Sequence, residues 1–126
     1  MQVSEFAQLL GLENWSMNDD GVAQVTLGAD RLLSIERAGP NAVIVATWRC
    51  PFLDASVMEA VLRTAWVDEA TEAPTGLMQT ALLHNGADST LVLAHRRPAG
   101  VMRASDMEHW ATHFFGLFDA LEQRSA

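Results

Sequence analysis

The chain has 126 residues, 49% of them hydrophobic, and a formal net charge of −8. This length and apolar content predict a single folded domain over residues 1–126 and exclude an intrinsically disordered chain. All the lysine-or-arginine positions are arginine, and the acidic balance argues against nucleic acids and anionic membranes as partners, because both attract clustered positive charge.

The N-terminal sequence and the lone cysteine bear on location. Residues 1–5 lack a basic region and a long apolar stretch, so no signal peptide is predicted. The chain has no run of about 20 apolar residues that would predict a span of the bilayer. Cys50 allows no intrachain disulfide, which suits a reducing cytosol, and it is interpreted as a small buried hydrophobe.

The first half of the chain predicts a short helix followed by a three-stranded antiparallel meander. Ser4 can cap a helix that ends at Gly11. Alternation of apolar and polar residues predicts strands over residues 22–27 and 31–37. Residues 42–50 are apolar on both faces at their start, which is typical of a central strand.

The middle of the chain predicts a second helix and an exposed loop. Ser56 and Glu59 have the spacing of a capping box, in which the two side chains satisfy backbone groups at the start of a helix. Apolar residues then recur at helical spacing as far as about Val67. Residues 68–76 are acidic and contain Pro74, so they are predicted to form a loop.

The last third predicts a β-hairpin and a long amphipathic helix. Strands are expected over residues 79–84 and 89–95, with Asn85-Gly86 in the turn, because both residues tolerate positive φ. The helix is expected to begin at Ser105 with a second capping box. The predicted order is therefore α-β-β-β-α-β-β-α, an α+β fold with an antiparallel sheet packed against helices. One stripe of the last helix should face the core: Met107, Trp110, Ala111, Phe114, Phe118 and Leu121.

His109 and His113 are the strongest candidates for chemistry. Four residues apart, they share a helix face, and this spacing can bind a metal. The zinc-protease pattern needs a glutamate directly after the first histidine, whereas Glu108 precedes it. A solvated polar face is the favoured interpretation, and a small metalloprotein is the less favoured one. His84 and His95 are interpreted as a surface pair on opposite strands of the hairpin.

Motifs for other chemistry are missing from the sequence. Without lysine there can be no phosphate-binding Gly-Lys loop, and no Gly-x-Ser-x-Gly or paired-glycine dinucleotide motif is present. Asp68, Glu69 and Glu72 cluster where a solvated loop is expected. We therefore expect no catalytic residue, no metal and no cofactor.

Many apolar residues compete for the small interior that a chain of this length can form. Leu32 lies on the otherwise polar face of its strand, and Phe115 lies off the stripe of the last helix. Contiguous apolar surface marks an interface, although one sheet with three helices is the alternative that would absorb it all. The middle helix carries apolar residues on more than one stripe and is the predicted homodimer interface: Val57, Met58, Val61, Leu62 and Ala65.

Several segments together suggest a family. They are residues 6–12 (FAQLLGL), the turn Asp20-Gly21, residues 75–77 (TGL), residues 91–98 (LVLAHRRP) and the helix over residues 107–121. In this order, and with this length and acidic charge, they resemble the class I type III secretion chaperones, the Tir chaperone family. The resemblance covers nearly the whole chain.

The resemblance implies a function in protein export. It implies a cytoplasmic homodimer, in a Gram-negative bacterium, that binds the N-terminal region of a secreted effector and keeps it extended and export-competent. An export ATPase is a further candidate partner, and a non-secretory interaction or regulatory domain of the same fold is the alternative function. An extended peptide can add a strand to a sheet edge while its side chains enter apolar pockets. The implied effector-binding residues are Phe6, Leu9, Leu10, Val25, Leu27, Leu33 and Ile35.

Overall fold

The computed structural model describes residues 3–9, 18–50, 59, 78–85 and 88–125 of the chain. Of the predicted middle helix, Glu59 is described, and its backbone is helical. In the described ranges, no helix is long and apolar enough to cross a bilayer. The elements in chain order are α1 (Val3–Leu9), β1 (Val22–Leu27), β2 (Arg31–Ala38), β3 (Asn41–Cys50), β4 (Gln79–Asn85), β5 (Asp88–Pro98), a 3-10 turn (Ala99–Val101) and α2 (Ala104–Ser125).

The strands form an antiparallel sheet in the order β1-β2-β3-β5-β4, with β3 at its centre. The predicted α+β fold, with an antiparallel sheet and helices, is confirmed. β1 begins and ends as predicted. β5 is longer than predicted because its pairing with β3 continues until Pro98 lies opposite Asn41. Asn85 ends β4 and pairs with Asp88, so these two residues are the first and last of the predicted turn over residues 85–88.

Gly39 permits the tight connection between β2 and β3. Ala38 pairs with Asn41, which leaves Gly39 and Pro40 as the whole loop. Gly39 has a φ of 62°, a conformation that side chains disfavour, and glycine at the first loop position is typical of a type II′ turn. The Pro40 carbonyl accepts a hydrogen bond of 2.9 Å from the Ala99 amide, so this loop also holds the 3-10 turn in place.

One face of the sheet carries the core. Alternate residues of a strand share a face, and the register aligns them into rows across β2, β3 and β5. All the apolar residues in these rows are buried. The rows are Arg31–Trp48–Leu91, Leu33–Ala46–Leu93 and Ile35–Ile44–His95.

Helix α2 lies along this face in the direction of β3. Trp110 stacks on His95 with ring centroids 4.0 Å apart, and the ring centroids of Phe118 and Trp48 are 5.6 Å apart. The two helical positions are about 12 Å apart along the axis. On the sheet, His95 pairs with Ile44, which is about 13 Å from Trp48 along β3. The two spacings agree, so each aromatic side chain meets its partner without bending the helix.

Asp106 fixes the start of α2. Its Oδ2 accepts a hydrogen bond of 3.0 Å from the Arg103 amide and lies 3.4 Å from the guanidinium of Arg97 on β5. Arg103 is thus the N-cap residue, and Asp106 takes the part of the acidic residue in a capping box. The predicted box at Ser105 is wrong by two positions. The predicted cap at Ser4 is also wrong, because α1 begins one residue earlier.

Replacement of Gly116 by alanine should stabilise the protein. Gly116 is exposed in the interior of α2, and a Cβ there would meet no atom within 4 Å. Alanine in a helix interior is better than glycine by about 0.5–1 kcal/mol in the free energy of unfolding. Urea denaturation followed by circular dichroism measures the change. Gly39→Ala is the control of opposite sign, because its positive φ should make alanine destabilising. A destabilising Gly116→Ala would contradict the helix placement.

Candidate functional site

Three of the predicted effector-binding residues are core residues of this chain. Phe6 and Leu33 are fully buried, and Ile35 is 1% exposed. A client could reach these side chains only if the core opened. Their role in binding is therefore an untested prediction, and it would require a rearrangement of α1 or α2.

The other predicted residues divide between the described and undescribed parts of the chain. Leu9 is the last residue of α1, and Val25 and Leu27 lie on β1. Leu10 and the whole predicted dimer interface lie outside the described residues, so the prediction for them is untested: Val57, Met58, Val61, Leu62 and Ala65.

Strand β1 provides an open edge with apolar residues beside it. Within the described part of the chain, β1 has no partner strand on its outer side. Val25 is half-buried against the core, whereas Leu27 is 42% exposed. The register places Val25 opposite Leu33 and Leu27 opposite Arg31, so both belong to the face that carries the core.

Phe115 adds an aromatic ring on the same side. It is half-buried, and its ring centroid lies 5.8 Å from that of Phe118. Asp119 and Glu122 follow it by four and seven residues, so the three share one side of α2. Both acids bind Arg31 at the start of β2, so this side of the helix faces the β2 side of the sheet. We call Val25, Leu27 and Phe115 the apolar flank.

Arg31 borders the apolar flank, because it pairs with Leu27 across the sheet and binds the helix that carries Phe115. Its guanidinium donates hydrogen bonds of 2.6 Å to Asp119 Oδ1 and 2.9 Å to Glu122 Oε2. The same group lies 5.6 Å from the Trp48 ring and 5.7 Å from the Phe118 ring. The side chain is 15% exposed, so solvent screens these interactions less than on an open surface. Arg31 therefore joins the sheet to the C-terminal half of α2.

Sequence reasoning assigned neither Phe115 nor Arg31 to the site. Phe115 could have been found from the sequence, because it is a phenylalanine off the apolar stripe of the helix. It lies four residues before Asp119 and so shares a side of the helix with a charged residue, where a large apolar side chain is unexpected. Arg31 could not, because its partners are 88 and 91 residues away. Only the packing of α2 on β2 brings these charges together.

The histidines do not form a metal site in the described part of the chain. His109 is exposed and His113 is half-buried. Among the described residues, no group of three or more histidine, cysteine, aspartate or glutamate residues could hold an ion. His84 pairs with Ser89 near the turn, whereas His95 lies beyond the pairing of β4 and is 3% exposed. The expected surface pair of His84 and His95 is wrong, because the hairpin register separates them.

Comparison with known proteins identifies the fold. No protein-family model and no curated protein matches the chain. The crystal structure of the Yersinia pestis type III secretion chaperone SycH with a stable fragment of YscM2 matches 95% of this chain and 93% of the other, with a TM-score of 0.60 and 20% identity. The HopA1–SchA chaperone–effector complex matches 94% and 86%, with a TM-score of 0.58 and 12% identity.

A third structure has the same overall fold but is not described as a secretion chaperone. YbjN from E. coli, a suggested transcription regulator, matches 94% of this chain and 84% of the other, with a TM-score of 0.51 and 7% identity. These likenesses establish the fold that this chain shares with type III secretion chaperones. At such low identity they do not by themselves transfer a function.

Replacement of Arg31 by methionine should loosen α2 without changing the secondary structure. Methionine keeps an unbranched apolar stem beside Trp48 and Phe118 but loses both ion pairs. Because the two carboxylates are more than half exposed, we expect a loss of about 1–2 kcal/mol in the free energy of unfolding, read from urea denaturation. Arg49→Met, at an exposed arginine of β3, should change it by no more than about 0.5 kcal/mol. Equal losses in both variants would contradict the assigned role of Arg31.

Proposed function

We propose that this protein is a type III secretion chaperone of the class I (Tir chaperone) kind. It binds the N-terminal region of a secreted effector and keeps that region extended and export-competent. The observation that carries the proposal is the structural likeness to SycH and to the HopA1–SchA complex. Each match extends over more than nine-tenths of this chain. The function is one of binding, and we assign no catalytic residue and no cofactor.

The edge of β1 and the apolar flank support peptide binding. An extended client segment can pair its backbone with the open side of β1, as an additional strand of the sheet. Alternate client side chains would then point to the core face, where Leu27 and the half-buried Val25 and Phe115 offer apolar contact. Backbone pairing provides affinity for many sequences, and the apolar contacts select among them.

The proposal also includes where the protein acts and how it assembles: in the bacterial cytoplasm, as a homodimer. The protein acts in the cytoplasm of a Gram-negative bacterium, where clients are loaded before export, and an export ATPase is a candidate receiver of the complex. The chain forms a homodimer through the middle helix. The single cysteine and the net charge of −8 are compatible with a reducing compartment and a soluble assembly.

A regulatory or interaction domain of the same fold is the second candidate function. The likeness to YbjN favours it, because that structure shares the architecture and is described as a suggested regulator rather than a chaperone. Client binding separates the two. A secretion chaperone should form a stable complex with the N-terminal fragment of a secreted protein encoded by a neighbouring gene, and the bound fragment should lack globular structure by NMR.

Leu27→Asp should weaken the binding of this client fragment. The substitution places a charge where an apolar client side chain would be buried, so we expect the dissociation constant to rise about tenfold to a hundredfold. Isothermal titration calorimetry measures it. Leu83→Asp is the matched control, because Leu83 is a 57% exposed leucine on the other edge strand, β4.

Comparison of Leu27→Asp with Leu83→Asp can also refute client binding at the apolar flank. Both leucines are exposed, so neither substitution should lower the free energy of unfolding by more than about 0.5 kcal/mol. If Leu83→Asp weakens binding as much as Leu27→Asp, the client does not bind at the apolar flank. If the unaltered protein binds no secreted fragment at all, the chaperone function is wrong and the regulatory one gains support.

Leu62→Asp should convert the proposed homodimer into a monomer. Burial of an unpaired carboxylate in an interface costs several kcal/mol, of order 3–5. Size-exclusion chromatography with light scattering should give twice the chain mass for the unaltered protein and the chain mass for the variant. Glu59→Asp, at an exposed helical position, should remain dimeric. A dimeric Leu62→Asp would place the interface elsewhere, and a monomeric unaltered protein would refute the dimer.

A further inference from the structure

We infer that the turn between β5 and α2 is a second interaction surface, which binds an acidic segment of a partner protein. The surface consists of Arg96, Arg97, Val101 and Arg103, and we call it the basic turn. It lies outside the apolar flank, and its argument does not depend on the proposed chaperone function.

A single carboxylate holds the basic turn together. Asp106 Oδ2 accepts a hydrogen bond from the Arg103 amide at 3.0 Å and lies 3.4 Å from Nη1 of Arg97. Arg97 and the backbone of Arg103 are therefore within a few ångströms of one carboxylate. Arg96 precedes Arg97 in β5 and projects from the opposite face of the sheet. The two arginines thus lie on both sides of the end of this strand.

Positive charge remains after the internal pairing. Arg96 and Arg103 are exposed, and neither forms an ion pair with another residue in the described part of the chain. Glu36 lies on the same face as Arg96, on the far side of Val43, and accepts a hydrogen bond from a serine hydroxyl. The three arginines and Asp106 carry a local charge of +2, in a chain whose net charge is −8. The basic turn thus has a net positive charge of its own, with Glu36 two strands away from Arg96.

The backbone of the basic turn is held before any partner arrives. Met102 and Ala99 are buried in the core, and the Ala99 amide binds the Pro40 carbonyl at 2.9 Å. Between them, Val101 is 54% exposed. A fixed turn loses little conformational entropy on binding, which favours affinity. A partner segment can therefore combine carboxylates for the arginines with an apolar side chain against Val101.

The charge distribution favours an acidic protein segment over nucleic acid or an anionic membrane. A long polyanion would experience the net charge of −8 over the whole molecule and be repelled. A short segment responds mainly to charges within a Debye length, about 10 Å at 0.1 M salt. The guanidinium group also matches a carboxylate with two parallel hydrogen bonds.

The basic turn and the exposed end of the apolar flank lie at opposite ends of the sheet. Arg97 pairs with Ala42, whereas Leu27 pairs with Arg31, which lies opposite Trp48. Ala42 and Trp48 are about 20 Å apart along β3. A client bound near Leu27 and an acidic segment bound at the basic turn can therefore occupy the protein together.

The test uses a fluorescent peptide of alternating glutamate and serine with a central valine, followed by anisotropy. The peptide should bind in about 0.1 M salt and dissociate in about 1 M salt, because the contacts are exposed charges. A peptide with glutamine in place of glutamate should not bind. The double variant Arg96→Gln, Arg103→Gln should weaken binding about tenfold. Arg49→Gln removes an exposed arginine at the other end of β3 and should change binding less than about twofold.

Three results would overturn the inference. The first is no binding of the glutamate peptide, and the second is equal loss in the Arg49→Gln protein and the double variant. The third is tighter binding of a DNA duplex, lost in the double variant, which would make the turn a nucleic-acid site. Leu27→Asp should bind the peptide normally, so failure of the chaperone proposal and failure of this inference give different results.

Discussion

The packing of α2 along β3 is the constraint on which the described structure depends. Trp110 stacks on His95 near one end of the core face, and Phe118 meets Trp48 near the other. On β3, the buried residue of the core face between these two aromatic contacts is Ala46. A small residue at the centre lets the large helical side chains approach the sheet, so the core fills without displacing either element.

Electrostatic contacts then fix the two ends of this helix. Asp106 joins its N-terminus to Arg97 on β5, and Arg31 on β2 holds Asp119 in the last turns. The guanidinium of Arg31 also lies over the rings of Trp48 on β3 and Phe118 on α2. The same side chain therefore contacts α2 both through its ion pairs and through an aromatic ring. The orientation of α2 in turn directs Phe115, which shares a helix side with Asp119, to the β2 side of the sheet. The apolar flank is thus a consequence of how the core is closed.

The two proposed surfaces have different physical characters. The apolar flank combines an open strand edge with apolar side chains, which suits an extended segment of variable sequence. The basic turn combines guanidinium groups with one valine on a fixed backbone, which suits a short acidic segment. Since the basic turn and the exposed end of the apolar flank lie at opposite ends of the sheet, a protein of this size can hold one partner while it contacts another. Such an arrangement would suit a chaperone that delivers its client to a second protein.

The sequence by itself determined the strands, their antiparallel order within each hairpin and the apolar stripe of α2, because alternation and helical spacing are local patterns. It also indicated the fold through the order of its elements. The sequence did not determine that Phe6, Leu33 and Ile35 would be buried by this chain, since an apolar residue in a core and one in a binding pocket look the same in a sequence. Nor did it reveal the ion pairs of Arg31, whose partners lie at the far end of the chain. Those features depend on which face of the sheet α2 covers, and tertiary packing alone decides that.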